Sequence, residues 1–351
     1  MSKTHVLKNS NSKTQNNIKE VAVEILKNNM LVVILILLIL VGVVASPSFF
    51  NLTNMNNILI NVTIFGLLAI GQSVVMISKE IDLSVGSIVA FGPIAAVVIT
   101  ERIMAFSGEA LIVGSNYVMS GLMTIALITL VVGTLVGLFN GILRVKLRVP
   151  SLIVTLGMMY TLAGLSYVLS GGYSLYLTRL DGVSWLGVSR IANISVGFIM
   201  FILFGSIVIM ILKYTKIGSR IYSVGGNEKA AVYSGINPGF WKIAAFGFSG
   251  FCAGLSALVY SSRLESIETI QGSGYELISI AIAVIGGVTL EGGRGNIFNT
   301  LIASIILAVT LNIMSLLGLG SWYQNIVIGS VIIGAAIQHA ISYRKALNAK
   351  Y

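Results

Sequence analysis

Ten apolar segments, each 16 to 25 residues long and nearly free of charge, run through this chain at 28–48, 57–78, 83–100, 118–142, 150–170, 191–213, 241–261, 275–290, 296–316 and 322–342. Segments of this length constrain the fold more than any motif does. In hydrocarbon no water satisfies the backbone, so only helices and closed barrels can cross. The segments lack the period-2 alternation of barrel strands, which need only about 10 residues, and match the roughly 20 residues of a spanning helix. Charged residues make up 10% of the chain, against roughly 25% in soluble domains, too few to cover a water-facing surface. The expected class is an all-α polytopic membrane protein with about ten transmembrane helices. The third and eighth segments are short and glycine-bearing, which marks them as broken or incompletely spanning.

The basic residues set the orientation. Lys and Arg in short loops accumulate on the cytoplasmic side. With the N-terminus inside, eighteen of the 22 basic residues are cytoplasmic, among them Lys79, Arg144, Lys213, Lys216, Arg220, Lys229, Lys242 and Arg294. Only Arg102, Arg179, Arg190 and Arg263 are left outside. An even number of crossings then puts both termini inside. The net charge of +10 is spread along the edges of apolar segments, which argues against a nucleic-acid patch. Residues 1–27 read as a polar cytoplasmic arm with a short amphipathic piece at Ile18–Lys27, 28–342 as one transmembrane domain, and 343–351 as a cytoplasmic tail. The first apolar run begins near Met30 and lacks the layout of a cleaved signal, so a retained membrane helix is expected. A lone cysteine, Cys252, and two distant histidines, His5 and His339, offer neither a disulfide nor a metal cluster.

No G-x-x-x-x-G-K-[ST] run is present, and no nucleophilic triad, carboxylate pair or H-E-x-x-H motif is visible. No cofactor and no catalytic residue is expected, and any work done with ATP falls to a partner. Ionisable and polar side chains at membrane depth are costly and therefore candidates for function. Asp82, with Ser84 and Gly86 beside it, fits either a helix-start device with a local break or an interfacial carboxylate reaching the headgroups beside Lys79. Glu276 opens the eighth segment, where a carboxylate favours the helix dipole or lines a polar path. Asn140 is a buried amide suited to bonding between helices. Gly133, Gly137 and Gly141, and likewise Gly250 and Gly254, are spaced to put small residues on one helix face, as close helix packing requires.

The longest cytoplasmic loop, 214–240, separates six segments from four. Within it, residues 225–236 read as one short helix bounded by glycines, with Asn227 as N-cap and Gly235 as the residue after the C-cap. A small amphipathic helix facing the cytosol is suited to a groove on another protein. Gly225, Gly226, Asn227, Glu228, Ala230, Ala231, Ser234, Gly235 and Ile236 are the candidates for that contact.

Four blocks in order carry a resemblance to a known family. They are Ile81-Asp82-Leu83-Ser84-Val85-Gly86; Asn140-Gly141 with Pro150 through Thr155-Leu156-Gly157; Gly225 to Ile236; and Gly274-Tyr275-Glu276-Leu277 with Gly286-Gly287 and Gly292-Gly293-Arg294-Gly295. Together they resemble the ribose-type branch of the ABC importer permeases, over nearly all of the chain after residue 50. The resemblance implies a type II-like importer permease in the bacterial cytoplasmic (inner) membrane, working as a homodimer or paired permease. It implies two cytoplasmic ATPase subunits as partners, and an extracytoplasmic sugar-binding protein that delivers a monosaccharide. The 225–236 segment would be the coupling helix. Asp82, Ser84, Gly86, Asn140, Thr155, Gly157, Glu276, Gly286 and Gly287 would belong to the translocation path or its structural motifs. Two positions depart from the pattern: Lys79-Glu80 stand where small residues are usual, and Ala163 where many members carry Arg. Competing readings are a permease for a nucleoside or branched-chain amino acid, and a stand-alone secondary transporter. The last expects acidic or His relays deep in helices, which the sequence lacks.

Overall fold

The computed structural model describes residues 30–106, 117–177 and 182–348. The arm at 1–27 with its Ile18–Lys27 piece, Arg179 and the last three residues lie outside them. The helices are α1 (Met30–Ala45), α2 (Leu52–Ile77), α3 (Val85–Phe106), α4 (Tyr117–Lys146), α5 (Ser151–Ser170), α6 (Val196–Tyr214), α7 (Lys216–Gly226), α8 (Glu228–Tyr233), α9 (Pro238–Leu264), α10 (Tyr275–Ile285), α11 (Ile297–Leu316) and α12 (Ser321–Asn348). Each of the ten apolar segments coincides with one of these helices. Among the described residues, seven helices (α2 to α6, α9 and α11) are long and apolar enough to cross a membrane. α12 continues to Asn348, through most of the stretch expected as a tail.

Close packing follows from the small residues. α4 and α9 meet along facing glycines: a Cβ at Gly133 would strike the Gly250 carbonyl, and one at Gly141 would lie 2.7 Å from Ile243 Cα. Gly137 faces Phe246 and Gly247 in the same way. α2 runs through the centre, buried along most of its length from Ile58 to Ile77. It packs on α9 where Gly71 meets Cys252 and Ser249, and on α11 through a Ser73–Thr300 hydroxyl pair 3.2 Å apart. At its other end, Asn54 and Asn312 exchange side-chain hydrogen bonds of 3.1 and 2.7 Å.

Of the two short, glycine-bearing segments, only the eighth forms an incomplete helix. α10 spans 11 residues, roughly 16 Å at 1.5 Å per residue, about half of a bilayer core. It stops in a paired turn: Gly287 N–H donates to Val284 O and Val288 N–H to Ala283 O, with Gly287 at φ +82°. This is the Schellman arrangement, which a residue with a Cβ enters at a cost. α3, by contrast, is continuous from Val85 and accommodates Pro93 in its interior. Its break lies before it, in the non-helical stretch 80–84. On the side opposite α7 and α8, two small antiparallel pairs join Leu175–Tyr176 to Ser266–Ile267 and Arg190–Ile191 to Ile194–Ser195.

Candidate functional site

The polar site begins where α2 ends. Lys79 adopts φ +67°, a left-handed turn that costs a residue with a Cβ roughly 1–2 kcal/mol. The chain then runs without helix or strand through Glu80, Ile81, Asp82 and Leu83 back into the helix bundle before α3 starts. The Ile81 amide donates to Ser151 Oγ and the Ile81 carbonyl accepts from Thr155 Oγ1, each at 3.4 Å, so the start of α5 covers this strand-like piece. Asp82 is fully buried. Its Oδ1 accepts from the Ser84 amide at 3.0 Å and the Ser84 hydroxyl at 2.7 Å, and Asn140 Nδ2 donates to Ser84 Oγ at 2.9 Å. The Ser249 hydroxyl of α9 faces the same carboxyl.

These contacts decide between the two readings of Asp82. It does not reach the headgroups: Lys79 is exposed while Asp82 has no exposure at all. Asp82 organises the turn that releases α3, with Ser84 O accepting the first helical bond from Ile88 at 3.0 Å. Asp82 Oδ2 and Asn140 Oδ1 are buried without a hydrogen-bond partner. Polar oxygens without partners at this depth are expensive, as expected for a site kept for a purpose beyond packing.

The start of α3 meets the start of α10. A Cβ at Gly86 would collide with the Glu276 carboxylate and come within 2.6 Å of the Gly272 carbonyl. Glu276 therefore sits at two helix N-termini at once, its own and that of α3, where the peptide dipoles favour negative charge. Gln271, just before α10, ties the loop down by donating to Val89 O at 2.7 Å. Helix N-termini that point at a polar group inside the bundle are a device of transport proteins.

The glycine blocks come together at the cytoplasmic end. A Cβ at Gly225 would collide with the Ile77 carbonyl and lie 2.6 Å from the Gly293 amide, and Gly293 N–H donates to Ile77 O at 2.8 Å. Gly292 packs on Lys79 with a would-be Cβ 2.9 Å from its Cα. Tyr222 donates to Gly295 O at 2.8 Å, and burial raises its phenol above the ordinary value, so it stays a donor. Three distant sequence blocks thus close one glycine junction around the turn that starts the re-entrant segment. Gly286 packs on Thr300 with a would-be Cβ 2.8 Å from its Cα.

The loop expected as one helix over 225–236 holds two. Thr215 caps α7 by accepting from Ile217 N at 3.2 Å. Gly225 and Gly226 are the last residues of α7, not a boundary outside the second helix. Asn227, extended at φ −157°, breaks the pair and caps α8 by accepting from Ala230 N at 3.1 Å. α8 ends in a Schellman turn: Ile236 N–H donates to Ala231 O, Gly235 N–H donates to Val232 O, and Gly235 has φ +75°. Ala231 is buried against the protein, while Val232, Tyr233, Ala230 and Ser234 point outward. Gly157, on α5, has nothing within 4 Å of a would-be Cβ and faces out of the subunit.

Sequence reasoning missed an ion-pair chain beneath α8. Lys242 Nζ lies 2.7 Å from Glu228 Oε2 and 3.0 Å from Glu80 Oε1, and Arg144 Nε lies 2.8 Å from Glu80 Oε2. Lys242 and Glu80 side chains are 6% and 3% exposed. Their signal was present only as basic residues at segment ends, which the charge count used for orientation.

The family model described as "Branched-chain amino acid transport system / permease component" matches residues 54–336. The chain belongs to that permease family. It is 35% identical over 308 residues to the ribose import permease protein RbsC of Escherichia coli K12, covering 86% of this chain and 90% of that protein. Bacillus subtilis RbsC is 34% identical over 306 residues, with 86% and 89% covered. The D-allose transport system permease protein AlsC of E. coli K12 is 31% identical over 303 residues, with 85% and 87% covered. The matched region takes in the re-entrant segment, the glycine junction and both α7 and α8.

Proposed function

We propose that this chain is the membrane-spanning permease subunit of an ABC importer that takes in a monosaccharide of the ribose kind. It crosses the bacterial inner membrane ten times with both termini in the cytoplasm, the loop before α10 and α10 together making one crossing. It pairs with a second permease, rests on two cytoplasmic ATPase subunits and receives solute from an extracytoplasmic binding protein. The permease itself hydrolyses no ATP. The sugar reading draws on the relatives, which are import permeases for ribose and D-allose.

The observation that carries this reading is α8. Its two ends are capped, and it presents Val232 and Tyr233 to the cytosol, the latter 92% exposed. The α7 end just before it is locked to the turn at Ile77–Lys79. A helix built in this way can transmit the movement of a docked ATPase to the re-entrant segment, provided that it binds the two ATPase states differently. The solute path runs beside Asp82, Asn140 and Glu276, and is completed across α5 by the second permease. Gly157 and Gly164 supply a flat face there, with nothing within 4 Å of either would-be Cβ.

A pull-down of the tagged chain from its native membranes, with ATPase activity assayed on the eluate, tests the reading. The parent is expected to bring down an ATP-binding subunit. Scrambling 225–236 should abolish that recovery while the permease stays in the membrane. Clean recovery of the permease alone would refute the ATPase docking. Offering ribose, a nucleoside and leucine to the reconstituted importer discriminates the solute classes.

A further inference from the structure

We infer that Glu228, Lys242 and Glu80 form an electrostatic linkage through which displacement of α8 moves the re-entrant segment that carries Asp82. The inference rests on α8 being the ATPase-docking helix. The three groups connect three elements of the fold. Glu228 is the first residue of α8, Lys242 lies on the first turns of α9, which follows α8 in the chain, and Glu80 is the first residue of the non-helical stretch 80–84 behind α2. Lys242 bridges both carboxylates, at 2.7 Å to Glu228 and 3.0 Å to Glu80. Arg144, near the end of α4, closes the chain on Glu80 at 2.8 Å.

The gradient of exposure gives the linkage a direction. Glu228 is 55% exposed, so its limb is accessible to forces from the cytosol, whereas Lys242 at 6% and Glu80 at 3% are shielded. Attraction between shielded charges is barely screened by salt, unlike that at the surface. Lys242 loses its shielded partner if it leaves Glu80, so that contact breaks only at high cost, whereas the Glu228 limb reaches water. Glu80 then passes the displacement to Asp82, two residues on along the non-helical stretch. Asp82 holds Ser84, and Ser84 holds Asn140 of α4. From Lys242 to Ser249, which faces Asp82, is seven residues of α9, roughly 10 Å of axial depth. The linkage therefore joins the cytoplasmic surface to the polar site within the membrane.

The linkage assigns a role to Glu80, a carboxylate whose side chain is only 3% exposed beside the turn at Lys79. A structural ion pair would change how much complex assembles. A transmitting one changes how much solute moves for each ATP consumed. The readout is therefore the ratio of sugar delivered to ATP hydrolysed, in proteoliposomes containing permease, ATPase and binding protein, with ATPase content quantified first. In K242M and in E80Q the ratio should fall at least tenfold in assembled complexes. K242R, which keeps the charge and can face both carboxylates, should return it to within about threefold of the parent. E228Q alters only the exposed limb and serves where the buried variants fail to assemble; its ratio should also fall. E80Q/E228Q should lower the ratio no further than the worse single variant, because both break one linkage.

A parent-like ratio in assembled K242M or E228Q complexes would overturn the linkage, as would effects of E80Q and E228Q that multiply. The docking assumption is checked separately by crosslinking from a cysteine placed at Tyr233. Absence of a crosslink to the ATPase would remove α8 as the docking helix. A crosslink together with a parent-like ratio would remove the linkage alone.

Discussion

Helices α2 and α5 are nearly equal in mean hydropathy, 2.1 and 1.8, yet 89% of the most apolar stretch of one is buried inside the protein and 17% of the other. Hydropathy reports that a helix can leave water; it does not report what the helix meets instead. α2 meets protein on every side, through glycines and small hydroxyls that admit α9 and α11. α5 fully buries only Val154, Thr155, Leu162 and Ser166, and leaves much of the rest of its surface uncovered by this chain. The difference lies in packing residues, since lipid tails are as apolar as leucine and give helices no reason to associate by hydrophobicity alone.

The largest effect that separates the two helices is expected at Gly71. A would-be Cβ there lies 2.9 Å from Cys252 Cβ and 3.0 Å from Ser249 Cα. Gly71→Leu should lower stability by about 3 kcal/mol or prevent folding, the cost of overpacking a filled interior, as read by thermal unfolding of the purified protein. Gly157→Leu makes the opposite test. Because nothing approaches it, the same bulk should change the stability of the subunit by less than about 0.5 kcal/mol. Uptake should nonetheless fall, if α5 faces a second permease across the path. Equal destabilisation by both substitutions would erase the contrast, and full uptake by Gly157→Leu would place α5 against lipid only.

What could be read from the sequence was local. Every apolar segment became a helix, and the Asn227 cap and the Gly235 turn are visible because capping depends on residues within one turn. The strands at 175–176, 190–191, 194–195 and 266–267 are two residues each, too short to show alternation. α7 was not foreseen. Its amphipathic stretch is bounded by a threonine cap, and its two closing glycines looked like a boundary. The re-entrant path of 80–84 was also hidden, because nothing in these residues says that a chain turns back into the bundle; that depends on Ser151, Thr155 and Asn140. The ion-pair chain joins positions 64 and 162 residues apart, a pairing that no local pattern encodes. Asp82 and Glu276 could be singled out by the cost of their burial, but their neighbours emerge only in three dimensions.

The central claim is that this permease moves a sugar by energy taken from a partner docked at α8. Uptake of radiolabelled ribose into proteoliposomes containing permease, ATPase and binding protein tests it most directly, with and without hydrolysable ATP. The account predicts uptake that requires ATP hydrolysis and disappears when residues 225–236 are scrambled. Uptake that proceeds without ATP, or survives the scrambled segment, would contradict it.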